Sequence, residues 1–293
     1  MSIHQTRLPH WVLNHSPWLP VSCRQTQAQF YMPPEQSLQR AFPKASHYDP
    51  EWVRKLSMGE NVLFNLESLT KSLDLKPGMR VLDLGCGKAI SSIFLAKEFG
   101  VTVWAVDEAI SASDNYQRIR DAGCEAKVIP LEADARALPF AEEYFDAVVV
   151  VDSYTYFGTD EKYLPYISRF LKPDGRIAIV DVCFANEIAS QEEVPEFLQK
   201  DYQKYWYFIH TVDWWQKLWK KTGLVHIEAA QELEEAQHVR EQYVKDFEKQ
   251  GKPDPFAKAL QLDQQQFISF FKLIGRRTGK SVYLQDYKAS ANK

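Results

Sequence analysis

Between Arg80 and Val182 the chain alternates short apolar runs with helical segments, and this rhythm limits its possible folds more than any other feature. Arg80–Leu84, Val101–Val106, Ala126–Leu131, Phe145–Val151 and Arg176–Val182 read as strands. Between them, Ala89–Phe99 ends at Gly100 and Ala112–Ala122 ends at Gly123, as helices do. Lys162–Leu171 reads as a third helix, closed by the turn LKPDG. The run FDAVVVV is apolar almost throughout, which fits a strand buried on both faces. Strands alternating with helices imply a parallel sheet covered on both sides. Such sheets bind ligands beyond the C-terminal ends of their strands.

The flanks are less regular. Prolines at 9, 17, 20, 33, 34, 43 and 50 interrupt any long element in the first 50 residues, although Trp11, Trp18, Phe30 and Tyr31 point to an arm that packs on something. Val62, Leu63, Leu66, Leu69 and Leu73 share one helical face, so a helix is predicted over Asn61–Leu73. After residue 183 a helical insertion rich in charge and aromatics is expected over 184–210, then a helix at Thr211–Thr222 stopped by Gly223, then a strand at Leu224–Ala229. Residues 233–275 read as mostly helical, broken around Gly251–Pro255, with Ser281–Tyr287 as a closing strand.

The first strand runs into VLDLGCGKA, with Gly85 and Gly87 in the turn and Asp83 just before them. Glycine permits a tight turn and a close approach of ligand to backbone. Three further features fall in register. Asp107 ends the second strand, where an acid can accept from both hydroxyls of a ribose. Asp134 follows the third strand in EADAR, in reach of an adenine amine. Asp152 and Ser153 end the fourth, beside the reacting end of any ligand in that crevice. Three residues after Gly87 stands Ile90, where a pyrophosphate-binding loop wants glycine or alanine. That spacing favours a nucleoside without phosphates over a nicotinamide dinucleotide.

These segments resemble the class I S-adenosylmethionine-dependent methyltransferases, over about residues 55–230. VLDLGCG resembles their glycine-rich motif, VWAVD their ribose-binding acid and EADARALPF their adenine segment; FDAVVVVDSYTYF and RFLKPDGRIAIVD resemble the fourth- and fifth-strand motifs. The resemblance implies an α/β fold with a doubly wound, mostly parallel, Rossmann-like seven-stranded sheet and helical cap insertions. It implies an arm or lid over 1–55 and one domain over 56–293, with insertions at about 184–210 and 233–275. The cofactor would be S-adenosyl-L-methionine, leaving as S-adenosyl-L-homocysteine. Asp83, Gly85, Cys86 and Gly87 would hold its methionine part, Asp107 the ribose, and Ala133, Asp134 and Ala135 the adenine. Asp152 and Ser153 would lie near the methyl end. Met58 and Gly59, in LSMGENVL, resemble a stretch that lies before the first strand in some members and would cover the cofactor carboxylate.

On the acceptor side, Tyr154, Tyr156 and Phe157 follow the fourth strand and are expected in a pocket. Trp206 and His210 stand in an aromatic run and are further candidates for substrate contact. Asp152, His210 and Tyr154 are the candidate catalytic residues, with Asp181 a weaker one; a base is needed only if the acceptor must lose a proton. Trp215, Leu218 and Trp219 form a helical stripe and read as core. Methyl transfer to a nitrogen, oxygen or sulfur of a small molecule is expected. A lipid or quinone acceptor, or a cofactor-binding protein without turnover, remain as alternatives.

Charge and cysteine usage narrow the rest. A formal net charge of −4 with no basic cluster beyond Lys217, Lys220 and Lys221 argues against nucleic-acid binding. Cys23, Cys86, Cys124 and Cys183 form no CxxC pair and no zinc spacing, so no metal is expected and reduced thiols in the cytoplasm are the default. No basic region followed by an apolar run marks the N-terminus, and no apolar run reaches the ~20 residues that span a bilayer. A homodimer is left open.

Overall fold

The computed structural model describes residues 34–59, 61–250 and 254–280. The chain divides into two compact units, residues 1–43 and 44–293. The described part of the first contains helix α1 (Pro34–Ala41). The division falls before the expected 55/56 boundary, because residues from Lys44 onward are pinned to the second unit. Glu67, 3% exposed, accepts the backbone N–H of Lys44 at 3.0 Å and of Ala45 at 2.7 Å. The Tyr48 hydroxyl donates to Glu98 at 2.9 Å. Glu67→Gln keeps one acceptor but sets an amide donor against the Lys44 N–H. It is expected to cost ~1–3 kcal/mol, read as a lower denaturant midpoint with an unchanged slope.

The second unit begins with α2 (Pro50–Leu56), capped by Asp49, and α3 (Val62–Thr70), capped by Asn61. Then the alternation sets in. β1 (Arg80–Leu84), α4 (Ile90–Phe99), β2 (Thr102–Asp107), α5 (Ala112–Asp121), β3 (Val128–Glu132), β4 (Phe145–Val151), α6 (Tyr163–Ser168) and β5 (Leu171–Phe184) follow in order. β5 takes in the LKPDG segment from its first residue, since Leu171 pairs with Phe145. The expected helix to Leu171 is therefore shorter. The insertion after β5 holds a 3-10 turn at Gln191–Glu193 and two short α-helices, α7 (Glu196–Gln199) and α8 (Tyr202–Tyr205). α9 (Val212–Thr222) is capped by Thr211 and closed by Gly223, and β6 (Val225–Glu232) follows.

Residues 233–275 depart from expectation. α10 (Ala236–Gln250) and α11 (Pro255–Leu262) are helices, but β7 (Ile268–Arg277) is a strand. The expected strand at Ser281–Tyr287 lies outside the described residues. The seven-stranded sheet has the order β3-β2-β1-β4-β5-β7-β6. The first five strands of that order pair in parallel, whereas β7 runs antiparallel to both β5 and β6. The α/β, mostly parallel, seven-stranded reading thus holds.

One apolar cluster packs under α6 and α9 against β4 and β5, with Trp215 and Trp219 fully buried in it, as their spacing implied. A second gathers Phe184, Leu198, Trp206 and Leu260 around the ends of β5 and β7. Among the described residues no helix is long and apolar enough to cross a membrane, and no group of His, Cys, Asp or Glu has metal-binding geometry.

Candidate active site

A cavity of about 380 Å³ opens beyond the C-terminal ends of β1, β2 and β4. Gly85, Gly87, Asp107, Asp134, Asp152 and Ser153 all line it. The sequence separates these residues, and the parallel sheet brings them together. Gly85 has φ of +72°, and a Cβ there would fall 2.3 Å from Ser153 Oγ. Only glycine lets the turn after β1 and Ser153, two residues beyond β4, approach so closely. Ser153 in turn donates to the Leu84 carbonyl at 3.1 Å.

Asp107 organises the glycine loop. Its Oδ2 accepts the Gly87 N–H at 2.8 Å, and its Oδ1 accepts those of Ala109 and Ile110 at 2.8 and 3.0 Å. A carboxylate offers about four lone-pair directions, so Asp107 retains capacity for a further donor. Asp83 lies beneath the loop, 1% exposed. Ser91 and Ser92 donate to its Oδ2 at 2.6 and 2.5 Å, while its buried Oδ1 has no partner. Burial pushes its pKa up to about 6, against the lowering effect of the two serines. Cys86 lines the cavity, and burial raises its thiol well above the ordinary range, so it behaves as a small apolar wall.

Met58 and Gly59 line the cavity. Met58 sulfur stands 3.0 Å from where a Gly87 Cβ would sit, and a Gly59 Cβ would fall 2.0 Å from Asp152 Oδ2. Residues 58 and 59 therefore run from the glycine loop to the end of β4, and Gly59 is small because Asp152 lies against it. Lys88 Nζ donates to the Lys55 carbonyl at 3.0 Å, tying this segment's helix to the same loop. Ala133, Ala135, Tyr156 and Phe157 also line the cavity.

Three expected site residues lie elsewhere. Tyr154 is 0% exposed, and its ring packs on Phe157, Tyr163, Trp215 and Trp219. The turn after Asp152, whose φ is +53°, sends it inward and leaves Tyr156 facing out, 65% exposed. Trp206 is 2% exposed and stacks on Phe256 at 5.3 Å in the second cluster. His210 does not line the cavity. Its Nδ1 lies 2.6 Å from Glu187 Oε1, and its ring stacks on Trp214 at 3.7 Å. Glu187 Oε2 accepts the Thr211 N–H and hydroxyl at 3.1 Å each. Burial raises the Glu187 pKa, but the His210 and Thr211 donors outweigh it and hold the carboxyl below its usual range. The pair secures the start of α9. No motif announced Glu187.

Asp181, which sequence alone ranked low, sits behind Asp152 at the end of the described β4–β5 pairing, 1% exposed. Burial, reinforced by the Asp152 charge, pushes its pKa up to about 8 despite donors from Val182 and Thr155. The unfolded carboxyl ionises near 4, so the native state binds the extra proton between about pH 4 and 8. Its contribution to stability is complete below that window and lost as pH rises through it, at up to about 1.4 kcal/mol per pH unit. Asp181→Asn is expected to flatten the decline in melting temperature from pH 5 to pH 8; an unchanged slope would remove Asp181 as its source.

A parallel sheet with a glycine turn after β1, an acid after β2 and a polar acid after β3 defines a nucleoside-binding fold of the class I methyltransferase type. Residues 81–175 match the family described as a methyltransferase domain. The matched segment runs from β1 into β5, through the part of the sheet that carries the cavity. The chain is similar to phosphoethanolamine N-methyltransferase 1 of Zea mays, 25% identical over 206 residues, or 70% of this chain and 40% of that protein. Its structure resembles Haemonchus contortus phosphoethanolamine N-methyltransferase 2, solved with S-adenosyl-L-methionine, at TM-score 0.63 and 19% identity, covering 85% of this chain and 61% of that one. It also resembles the [4+2]-cyclase SpnF at TM-score 0.62 and 13% identity, covering 84% and 97%. Identities this low show the fold alone. The chain spans 40% and 56% of the lengths of the first two curated relatives.

Proposed function

We propose that this chain transfers the methyl group of S-adenosyl-L-methionine to a small-molecule acceptor. The observation that carries this reading is that Gly85, Gly87, Asp107 and Asp134 line one cavity with the lid residues Met58 and Gly59. The residues fit the nucleoside. Asp107 keeps lone-pair capacity for a ribose hydroxyl, and Asp134 has a carboxylate for the adenine amine. The unpartnered Oδ1 of Asp83 places negative potential under the loop that would hold the methionine ammonium. When bound, the sulfonium supplies an activated methyl for in-line displacement.

The protein's part is positioning, worth roughly 7–11 kcal/mol in ideal cases. Asp152, which follows β4 and lines the cavity, would receive a proton from, or hold, an acceptor nucleophile. Tyr156 and Phe157 would form the acceptor wall, where their ring faces suit an aromatic or cationic molecule. A small-molecule partner and a cytoplasmic setting complete this reading, and a homodimer is compatible with it.

A second reading is favoured by the likeness to SpnF, a protein named for a cyclisation. The fold hosts chemistry besides methyl transfer, and function has to be argued from the site. Calorimetric titration of the purified chain with S-adenosylmethionine, S-adenosylhomocysteine and NAD tests the proposal. Micromolar binding of the first two and none of NAD supports it. Failure of both sulfur nucleosides to bind ligand-free, folded protein would sink it. Binding without turnover on a broad panel of amines, phenols and thiols would favour the second reading.

A further inference from the structure

Arg136 joins two loops that have separate tasks in the proposed function. It stands two residues after Asp134 in the loop that follows β3, and it lines the cavity. Its backbone N–H donates to Asp134 Oδ1 at 2.8 Å, and its Nη1 lies 3.6 Å from the same oxygen. Its Nη2 donates to the Tyr156 carbonyl at 3.2 Å, in the turn that follows β4. One guanidinium therefore spans the adenine side and the acceptor side of the crevice.

Neither contact is placed to add much stability. The Arg136 and Asp134 side chains are 43% and 39% exposed, and ion pairs in such settings contribute little to stability. Their value is geometric. The turn is anchored on its inner side by the buried Tyr154 ring, while Tyr156 is largely exposed. Arg136 supplies a polar restraint on that outer half. A guanidinium is a rigid planar fork, so fixing one of its edges orients the other.

We propose that Arg136 is a positioning residue that couples the adenine end of the crevice to the acceptor wall. The proposal rests on the reading of Asp134 as the adenine-binding acid. An exocyclic amine donating to the Asp134 oxygen that Arg136 does not use fixes that carboxylate. The fixed carboxylate holds the guanidinium, and Nη2 then holds the Tyr156–Phe157 turn. The acceptor wall is thus completed by the nucleoside, and the cofactor adds first. Because coupling is reciprocal, an ordered turn also strengthens nucleoside binding.

Hydrogen exchange on the full chain, with and without saturating S-adenosylhomocysteine, tests this in wild type, Arg136→Ala and Arg136→Lys. In wild type the ligand is expected to slow exchange of the 154–158 amides about fivefold or more, the lower end of ordinary coupling energies. In Arg136→Ala the ligand still protects the 85–89 amides but leaves 154–158 unchanged. Arg136→Lys, a point charge without a fork, recovers only part of the effect. A merely structural Arg136 would speed exchange of the free turn yet leave the ligand-dependent ratio intact. Equal ligand-dependent protection of the turn in wild type and Arg136→Ala overturns the coupling. So does protection of the glycine loop alone in wild type. Protection of neither loop in wild type overturns the nucleoside reading and the coupling with it.

Discussion

Asp107→Ala is expected to weaken S-adenosylhomocysteine binding by on the order of 100-fold or more. Two effects combine. A hydrogen bond to a charged group contributes ~1.5–3 kcal/mol, so losing the one ribose bond that Asp107 has capacity for costs roughly ten- to a hundredfold. The same carboxylate also accepts the N–H groups of Gly87, Ala109 and Ile110, and its removal leaves all three without their acceptor. The glycine loop and the start of the segment after β2 both loosen. Asp107→Asn keeps an oxygen for Ala109 and Ile110 and should lose less. Calorimetry on both variants distinguishes the contributions. Wild-type affinity in Asp107→Ala would refute the assignment of the ribose to this residue.

The largest stability effect is expected away from the crevice, at Arg240. Its Nη1 meets Asp263 Oδ2 at 2.9 Å and the Ile268 carbonyl at 3.1 Å. Its Nη2 donates to the Asp263 carbonyl at 2.6 Å and to the Leu260 carbonyl. Asp263 is fully buried as a side chain and also accepts from Phe267 and Ile268, each at 2.8 Å. One guanidinium thus fastens α10 to the end of α11 and the start of β7. Arg240→Ala leaves a buried carboxylate without its countercharge and three carbonyls without their donor. The expected cost is ~3–5 kcal/mol. At roughly 2–4 °C per kcal/mol for a chain of this size, melting falls by on the order of 10 °C. Arg240→Lys keeps the charge but cannot reach four acceptors, and should fall between. A melting temperature unchanged in Arg240→Ala would show that the cluster is not stabilising.

The parts of the fold that a sequence shows well are those where one local pattern decides. β1 and β4 are apolar runs ending at glycine or aspartate, and α9 has a threonine cap and a glycine stop. The acids that line the crevice were readable by position, because Asp107, Asp134 and Asp152 each end or follow a strand. β7 was hidden because ISFFKLIGRR is buried on both faces and shows no alternation, and short apolar runs do not distinguish helix from strand. Tyr154 and Trp206 were misplaced for a different reason. Position after a strand puts a backbone near the ligand, but one left-handed residue, Asp152, decides which side chain faces it. Trp206 faces away because Phe184 and Phe256 offer it flat partners from elements remote in sequence.

The placement of β7 between β5 and β6 sets an order for building the molecule. β6 precedes β7 in the chain, yet its described strand pairing is entirely with β7. Until Ile268–Arg277 has left the ribosome, β5 presents an open hydrogen-bonding edge and β6 has no partner strand. The parallel half from β1 to β5 can form its ladders during synthesis, but the sheet closes only by a long-range antiparallel insertion. Such non-local pairings are slow to form, and unpaired edges invite association with other chains. A nascent chain stalled before residue 268 is therefore expected to hold a nearly formed crevice beside two sticky edges. It is the state most in need of a chaperone.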